Sequence, residues 1–341
     1  RPKKKALSEA YKVLEMLGAV NKQLQITKNG RSLSKIPLHP RLAKIILAGG
    51  KDATLLASVL SNGDPLNNMN NSDINVRISS IKNYQNQKSD SSYSLKVPIV
   101  REIMKEISRL SKHLTNQSDY TVAQLAALAY PDRIGKRREG KAPRYILSNG
   151  KGAIMAGSDP LGSVPFIVAC NLDGNLQEAK IRHCLPITLS EIKELFGNQI
   201  ISIQTCEWSK RQKKVLAKQQ EKLGQLTLEE KVWRDAPSNV IIEAMLDGVE
   251  QLGFFHSESA KTFLARVKMA GDKFPDMSDE KLMITRKTWL APFLSGIKSA
   301  NDWKKFDTLK ALKSILTWDQ TQLLEKLIPS NFITPLGRKI K

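Results

Sequence analysis

The hydrophobic pattern of the chain changes period between residues 144 and 208, and this change limits the folds that the chain can adopt. The apolar runs there are short and strand-like, with turn sequences at Asn149-Gly150 and Asp173-Gly174. A short helix at 190–196, with Ser190 as its candidate N-cap, interrupts them. Short strands with one inserted helix favour a small five-stranded barrel. The candidate strands are 145–147, 153–156, 165–171, 179–185 and 200–208.

Helical patterns precede and follow this strand region. The first fifty residues combine a helix at 6–17, an alternating run at 24–27, a short helix at 31–35 and a third helix that begins near Pro40. This order and size are typical of a winged-helix unit. Residues 52–128 are predicted to be helical, with a mobile polar loop at 85–94. The sequence therefore predicts an α+β multidomain fold.

A strongly basic stretch, 129–156, joins the helical region to the strand region. Two aromatic residues, Tyr130 and Tyr145, accompany its cations. Bases need aromatic faces for stacking and phosphates need guanidinium or ammonium groups, so the stretch is a candidate nucleic-acid surface. A solvated loop between two domains is the alternative, and the residues alone leave both open. The cations are Arg133, Lys136, Arg137, Arg138, Lys141, Arg144 and Lys151.

The charge balance points to a polyanionic partner. The chain has 54 Lys and Arg residues against 33 Asp and Glu residues, a formal net charge of +21 with an isoelectric point near 9.8. Such an excess favours nucleic acid or an anionic membrane surface. No apolar run approaches the roughly 18 residues of a membrane span, so membrane insertion is not expected.

Cysteine usage and the start of the chain bear on its setting. Cys170, Cys184 and Cys206 have no CxxC spacing and are odd in number, which favours reduced structural thiols and a cytoplasmic location. The chain begins with neither Met nor an apolar signal segment, which suggests a fragment of a longer protein.

The most regular helical pattern covers residues 96–114. Apolar residues from Val100 to Leu114 form one stripe, and basic residues form a stripe on the opposite face at about 100° per residue. Those basic residues either contact phosphates or are simply solvated. They are Arg101, Lys105, Arg109 and Lys112.

Residues 209–224 give conflicting signals. Their Lys, Gln and Glu content favours a helix. Their position directly after a strand, with a possible turn at Ser209-Lys210, favours the return arm of a basic hairpin. We favour the hairpin and leave the helix open.

From Pro237 onward the pattern is helical again, and the tail 331–341 is predicted to form one or two short strands. The aromatic residues of this region lie among Leu and Ile on helical faces, which predicts a compact core rather than a stacking platform. These residues are Trp289, Phe293, Trp303, Phe306 and Trp318. The predicted helices are 238–252, 258–270, 279–294, 306–316 and 318–328.

No catalytic signature is present in the sequence. It lacks a GxxxxGK[ST] phosphate loop, an HExxH motif and a GxSxG motif. The acids near Pro275 are interpreted as helix N-terminal residues rather than metal ligands, because the helix dipole favours acids there. They are Asp272, Asp276, Asp279 and Glu280, while His39, His113, His183 and His256 are scattered. We therefore predict no catalytic residue, no metal ligand and no cofactor site within the chain.

Several segments together resemble DEAH/RHA-type superfamily 2 helicases, and in particular their bacterial HrpB branch. The resemblance to the wider family is carried by LEMLGAVNKQLQITKNGRSLSKIPLHPRLAKIIL, in which Gly18, Gly30, Arg31, Pro37 and the run Pro40-Arg41-Leu42-Ala43 match. The resemblance to the HrpB branch is carried by LAYPDRIGKRR, RYILSNGKGA, DPLGSVPFIVACNLDG, WLAPFLSGIKS and LTWDQTQLLEKLIPSNFITPLGRKI.

The resemblance implies the C-terminal portion of an ATP-dependent helicase whose two RecA-like motor domains precede Arg1. It implies a winged helix (1–50), a helical-bundle or ratchet domain (51–128), an OB-like barrel with a basic hairpin (129–235) and an HrpB-type helical domain (236–341). Residues 337–341 suggest slight truncation relative to the family. Pro131-Asp132-Arg133 departs from the family pattern at the opening of the OB-like domain.

Two functions follow as hypotheses. The first is the accessory half of a 3′→5′ RNA or DNA helicase, which grips single-stranded nucleic acid while ATP and Mg bind the motor domains. The second is a protein-interaction module that docks an acidic or ribonucleoprotein partner. The residues expected to bind nucleic acid are Arg133, Arg137, Arg138, Arg144, Lys151, Arg101, Lys105 and Arg109.

Overall fold

The structure is a computed structural model that describes residues 4–67, 70–87, 93–114, 117–175, 178–333 and 339–340. The chain divides into two compact units. The first unit comprises residues 1–202 and 221–229, and the second comprises residues 203–220 and 230–341. Within the described residues, no helix has the length and apolar character needed to cross a bilayer. The predicted mobile loop at 85–94 depends on residues 88–92 and the predicted truncation on residue 337, which lie outside the described residues.

Helices form the first part of the first unit, and local sequence signals set their ends. Gly18, at φ 70°, follows the end of the first helix. Thr27 caps the second helix by accepting a hydrogen bond from the amide of Gly30 at 2.9 Å. The helices are α1 (Lys4–Met16), α2 (Lys28–Ser34), α3 (Pro40–Ala48), α4 (Ala53–Ser61), α5 (Ile74–Gln85), α6 (Val97–Ser111) and α7 (Val122–Ala129).

The apolar faces of these helices share one core, as the predicted helical region requires. Ile46, Leu56 and Ile74 have no exposed surface. Val100, Ile103 and Leu110 are the buried residues of α6 and confirm its predicted apolar stripe. The helical prediction for residues 52–128 is therefore confirmed by α4 to α7, which non-helical segments join.

A small closed barrel follows α7, and its strand order is β1-β2-β3-β5-β4. The pairs are antiparallel except β3 with β5, which run parallel. Alternate side chains such as Tyr145, Leu147 and Ile167 point into a separate buried cluster. The strands are β1 (Ile134–Arg137), β2 (Arg144–Leu147), β3 (Gly152–Ile154), β4 (Phe166–Leu172) and β5 (Glu178–Pro186).

The five-stranded barrel is confirmed, and so is the predicted strand at 200–208, but that strand is not one of the five in the barrel. The fifth strand is β1, whose Lys136 and Arg137 hide the apolar alternation by which strands are recognised. The predicted strand at 200–208 instead opens a separate three-stranded sheet of order β6-β7-β8. Its strands are β6 (Ile200–Ser209), β7 (Lys214–Leu223) and β8 (Leu226–Val232). The hairpin at 209–224 is thus confirmed and the helix is wrong.

The inserted helix α8 (Leu189–Phe196) is present, but its predicted N-cap is wrong. The cap is Thr188 rather than Ser190. The Thr188 hydroxyl accepts from the amide of Glu191, and the Glu191 carboxylate accepts from the amide of Thr188. This reciprocal capping box satisfies two amides at once, which a cap at Ser190 could not do.

The helices of the second unit are shorter than predicted in its second half. The predicted helix 279–294 is interrupted at Thr285 and ends at Trp289, before a 3₁₀ turn that contains Pro292. The predicted helix 306–316 keeps only its central residues. The acids Asp279 and Glu280 lie in the first turn of a helix, as predicted. The helices are α9 (Ser238–Leu252), α10 (Glu258–Met269), α11 (Asp279–Ile284), α12 (Arg286–Trp289), α13 (Ala300–Lys305), α14 (Leu309–Lys313) and α15 (Trp318–Leu327).

Aromatic residues form the core of the second unit, with one exception. Trp289 and Trp303 are buried, and Phe306 stacks on Trp303 with ring centroids 5.4 Å apart. Trp318 is 75% exposed, so its prediction as a core residue is wrong. It lies about 120° around α15 from the buried Leu324, given ~100° per residue. The tail contains β9 (Phe332–Ile333) paired with β10 (Lys339–Ile340), as predicted.

A buried ion-pair network joins the helical region to β5. Arg77 is 2% exposed and donates from Nη2 to Oδ2 of Asp64 at 2.8 Å. Nε2 of His183 lies 3.2 Å from the same oxygen. Burial alone would raise the pKa of Asp64, but the hydrogen bonds from His183 and Arg77 outweigh it and hold that pKa well below its usual range.

This network predicts an acid-dependent loss of stability. A carboxyl group with a lowered folded pKa contributes stability above its unfolded pKa of about 3.9, and the contribution disappears as the pH falls through the folded pKa. Urea unfolding between pH 3 and 7 should therefore show a steeper loss of unfolding free energy below about pH 4 for the wild type than for Asp64→Asn. Parallel pH profiles for the two proteins would contradict the assignment.

Candidate nucleic-acid interface

The first unit contains an open cleft of about 1150 Å³. Its walls come from α1, the start of α3, the end of α4, the last turns of α6 and the segment that precedes β1. Three arginines line it, namely Arg41, Arg109 and Arg133. The carboxylates of Glu9 and Glu106 line it as well, so the position of each charge decides what the cleft can bind.

Arg41 builds the wall of the cleft. It is 5% exposed and donates from Nη1 and Nη2 to the two carboxylate oxygens of Asp132, at 2.7 and 2.9 Å. Nη1 also donates to the carbonyl of Ala129 at 2.8 Å. Pro40 begins α3 and His39 caps it, which places Arg41 in the first turn. The charge of Arg41 is thus compensated inside the protein by Asp132, and these contacts fix α3 to the segment before β1.

Arg133 is the least satisfied cation in the cleft. A guanidinium carries five N–H donors. The contacts of Arg133 are Nη1 to the carbonyl of Cys170 at 3.4 Å and Nε to Asp132 at 3.9 Å, with its guanidinium 5.2 Å from the Tyr130 ring centroid. Most of its donors therefore have no close partner among the residues that the structure describes.

The electrostatic environment around Arg133 favours an anion. Burial lowers the pKa of Arg133, and the neighbouring Arg41 lowers it further. The pKa of His39 is also lowered, first by burial and then by Arg41 and Arg133. Both shifts oppose additional positive charge at this point. A phosphate would compensate the half-buried Arg133 and supply oxygens to its unused donors.

The basic face of α6 is largely neutralised by its own acids. Arg109, which lines the same cleft as Arg133, pairs with Glu106, and Lys105 pairs with Glu102 at 2.9 Å. Arg101 is exposed, has no side-chain partner among the described residues and lines a second cleft of about 420 Å³ with Lys105. On the predicted basic face, Arg101 therefore keeps an unpaired charge. Lys105 and Arg109 would have to leave their carboxylate partners in order to bind phosphate.

The remaining predicted residues lie at two ends of the barrel. Lys151 follows the β2–β3 turn, where the amide of Asn149 donates to the carbonyl of Asp132, so it lies at the same end as Arg133. Arg137 pairs in register with Tyr145, which places Arg137, Arg138 and Arg144 at the opposite end. The basic stretch was predicted as one surface, but its cations lie at two ends of the barrel that are separated by the length of β1.

The cations at the two ends differ in whether their side chains already have partners. Arg137 donates to the carbonyls of Gly162 and Gly140, at 2.7 and 3.1 Å, and so serves to fix loops. Arg144 lies 3.3 Å from a carboxylate oxygen of Glu178. Arg138 and Lys151 are exposed without a side-chain partner within the described ranges.

Sequence reasoning did not give Arg41 and His39 roles in a site, and it treated Tyr130 only as a flanking aromatic. The signal for Arg41 was weak, because its partner Asp132 is 91 residues away. No group of three or more His, Cys, Asp or Glu within the described residues is arranged to hold a metal ion. The expectation that no cofactor binds this chain stays a prediction.

Comparison with known proteins identifies one group of relatives. A family model described as the ATP-dependent helicase C-terminal family, HrpB_C, matches residues 289–341. The ATP-dependent RNA helicase HrpB of Escherichia coli K12 is 26% identical over 346 positions, which cover 98% of this chain and 41% of that protein. The probable ATP-dependent RNA helicase DHR1 of Saccharomyces cerevisiae is 39% identical over 72 positions, 20% of this chain and 6% of that protein.

Solved structures lead to the same relatives. The crystal structure of the E. coli DExH-box NTPase HrpB matches all of this chain and 42% of that chain, with a TM-score of 0.54 and 26% identity. The crystal structure of the Escherichia coli DEAH/RHA helicase HrpB matches with the same coverage, a TM-score of 0.53 and 25% identity. The chain thus spans about two fifths of the length of HrpB. The resemblance predicted from the sequence is confirmed: this chain is similar, over nearly its whole length, to the C-terminal region of HrpB-like helicases.

Proposed function

We propose that this chain is an accessory region of an ATP-dependent 3′→5′ helicase and that it grips single-stranded RNA or DNA. The observation that carries the proposal is the state of Arg133, a half-buried cation in an open cleft whose donors are mostly unused by the described residues. The net charge of +21 supports a polyanionic ligand, and the similarity to HrpB supports a helicase as the parent protein.

In this proposal the four domains named from the resemblance keep their assignments. Residues 1–50 form the winged helix, 51–128 the ratchet domain, 129–235 the OB-like domain and 236–341 the HrpB-type helical domain. The closed five-stranded barrel supports the OB-like assignment, because OB-folds are small barrels that bind oligonucleotides. ATP and Mg would bind RecA-like motor domains outside these 341 residues, and those domains would be the chain's principal protein partner. The cytoplasmic setting stays a prediction.

The strand would contact the end of the barrel that carries Arg133 and Lys151, together with Arg109, Lys105 and Arg101 on α6. Arg138 and Arg144, at the opposite end, would contact phosphates only if the strand extends along the barrel. Arg137 contributes charge but has its donors bound to carbonyls. Binding of this kind is expected to tolerate any base sequence, since phosphates carry no sequence information.

Replacing Arg133 with Gln should weaken single-strand binding about tenfold or more, because a hydrogen bond to a charged group contributes about 1.5–3 kcal/mol. It should also reduce the salt dependence by about 0.7 in log–log slope per lost phosphate contact. The measurement is fluorescence anisotropy of a labelled single-stranded RNA titrated with the whole chain at two salt concentrations.

Arg182→Gln is the matched control, because Arg182 is an exposed arginine of the same barrel without a hydrogen-bonded side-chain partner among the described residues. Equal affinities for the Arg133 and Arg182 variants would contradict the role given to the cleft. The protein-interaction alternative predicts a different titration altogether: a chain that only docks a protein would bind RNA weakly and without a salt slope.

A further inference from the structure

The turn between β6 and β7 concentrates unpaired positive charge. Its sequence from residue 209 to residue 214 is SKRQKK, and Glu207 is the closest acid along the chain. All four cations are exposed, and none has a side-chain hydrogen bond or ion pair among the residues that the structure describes. The cations are Lys210, Arg211, Lys213 and Lys214.

Backbone hydrogen bonds fix the shape of this turn. Within it, the amide of Lys213 donates to the carbonyl of Ser209 at 2.7 Å, and Lys213 takes a left-handed φ of 51°. The amide of Ala300 donates to the carbonyl of Lys213 at 2.9 Å, and that of Val215 donates to the carbonyl of Lys298 at 2.8 Å. The turn is therefore held against the segment before α13, and its cations project from an ordered support.

The stem of the hairpin contrasts with its tip. In the stem Lys218 pairs with Glu230 at 2.7 Å, and Gln220 donates to the same carboxylate. At the end of β6, Trp208 is buried and donates from Nε1 to Gln251 at 2.6 Å. The carboxylate of Asp302 accepts from the Lys298 amide and the Ser299 hydroxyl. Lys218 in the stem thus has a side-chain anion close by, whereas the four cations of the tip have none among the described residues.

The chemistry of the tip specifies a phosphate backbone. Four like charges within five residues repel one another, so a bound polyanion lowers their energy. No aromatic side chain lies in the turn, and Trp208 beside it is buried, so the tip has no face on which a base could stack. A ligand that hides its bases and carries phosphates at high density fits best, and duplex nucleic acid carries one charge per about 1.7 Å of axis.

We propose that the tip of the β6–β7 hairpin binds the phosphate backbone of double-stranded nucleic acid, as a contact additional to the single-strand cleft. The inference rests on the proposed function in that both sites take nucleic acid. The cleft would bind only a single strand, and the hairpin tip would add a contact to a duplex. The two sites use different residues, so they can be removed separately.

The experiment compares two variants of the whole chain that carry the same change in net charge. The turn variant is Lys210→Gln, Arg211→Gln, Lys213→Asn and Lys214→Gln, in which Asn tolerates the left-handed backbone at 213. The control variant replaces four exposed lysines of the second unit, Lys268, Lys310, Lys313 and Lys326, by Gln. A third variant, with Lys→Arg at 210, 213 and 214, preserves the charge. The probe is a fluorescent blunt duplex of about two helical turns, with a single-stranded RNA in parallel.

We expect the turn variant to lose at least about tenfold in duplex affinity and up to about 3.6 units of salt slope, since each of four phosphate contacts would contribute roughly 0.9. The control and charge-preserving variants should stay within about twofold of the wild type. Equal duplex affinities for the turn and control variants would overturn the inference, while a separate loss in Arg133→Gln would leave the proposed function standing. A turn variant that loses single-strand but not duplex binding would also overturn it. A wild-type chain that binds neither probe would end both proposals.

Discussion

Arg41→Ala is expected to lower the unfolding free energy of the first unit by about 3–5 kcal/mol, because it leaves the Asp132 carboxylate without its partner. Asp132 is 19% exposed and accepts two close hydrogen bonds from Arg41. The carbonyl of Ala129 and the ring of Tyr130, 5.0 Å from the Arg41 guanidinium, lose the same cation. The segment that carries Arg133 should therefore loosen along with the loss of stability.

Thermal unfolding followed by calorimetry measures this effect. For a unit of this size a loss of 3–5 kcal/mol corresponds to a decrease in Tm of roughly 6–20 °C. Arg182→Ala, at an exposed site, is the control and should change the unfolding free energy by less than about 0.5 kcal/mol. The double variant with Asp132→Asn should cost less than the sum of the single changes, since the two residues are coupled. Additive costs would contradict the ion pair as the source.

Trp208→Ala is expected to lower the unfolding free energy of the second unit by about 3–5 kcal/mol, the usual cost of a large-to-small change at a buried aromatic residue. The indole lies against Gly248 so closely that a Cβ there would be 2.6 Å from a ring carbon. Its Nε1 donates to Gln251, so the substitution also removes a hydrogen bond to α9. Because Trp208 adjoins the basic turn, the support of the turn should weaken as well.

Trp318→Ala provides a control of identical chemistry at an exposed position. It should change the unfolding free energy by less than about 0.5 kcal/mol, because that indole is already in water. Urea unfolding monitored by far-UV circular dichroism compares the two, and Trp208→Phe should recover part of the loss by refilling the space. If the two Trp→Ala variants were equally stable, the packing described for Trp208 would be wrong.

Long apolar patterns were the part of the fold that the sequence could predict. The α6 stripe and the strands after Arg144 carry their own periodicity, so no distant contact is needed to recognise them. β1 was not predicted, because its basic residues mask the alternation of apolar and polar side chains. Only its pairing with β2 and β4 identifies it as a strand. The hairpin at 209–224 shows the same balance: composition favoured a helix, and strand pairing decided otherwise.

The positive charge of the candidate site could be predicted from the sequence, but the contacts of each cationic side chain could not. Eight cations are equal candidates in the sequence, and the structure distinguishes them by what their donors contact. Arg137 is bound to carbonyls and Arg109 to Glu106, whereas Arg133 keeps free donors in a cleft. Trp318 illustrates the converse limit, since an apolar residue beside other apolar residues is exposed when the helix turns it away.

The separation of Arg41 from Asp132 has a consequence for the order in which the protein can form during its synthesis. The two residues are 91 positions apart, so at about 5–20 residues per second a ribosome makes Asp132 roughly 5–18 s after Arg41. In that interval α3 carries a cation that the finished protein buries, without the anion that permits its burial. The nascent helical segment therefore cannot reach its final arrangement before Asp132, in the segment that precedes β1, has been made.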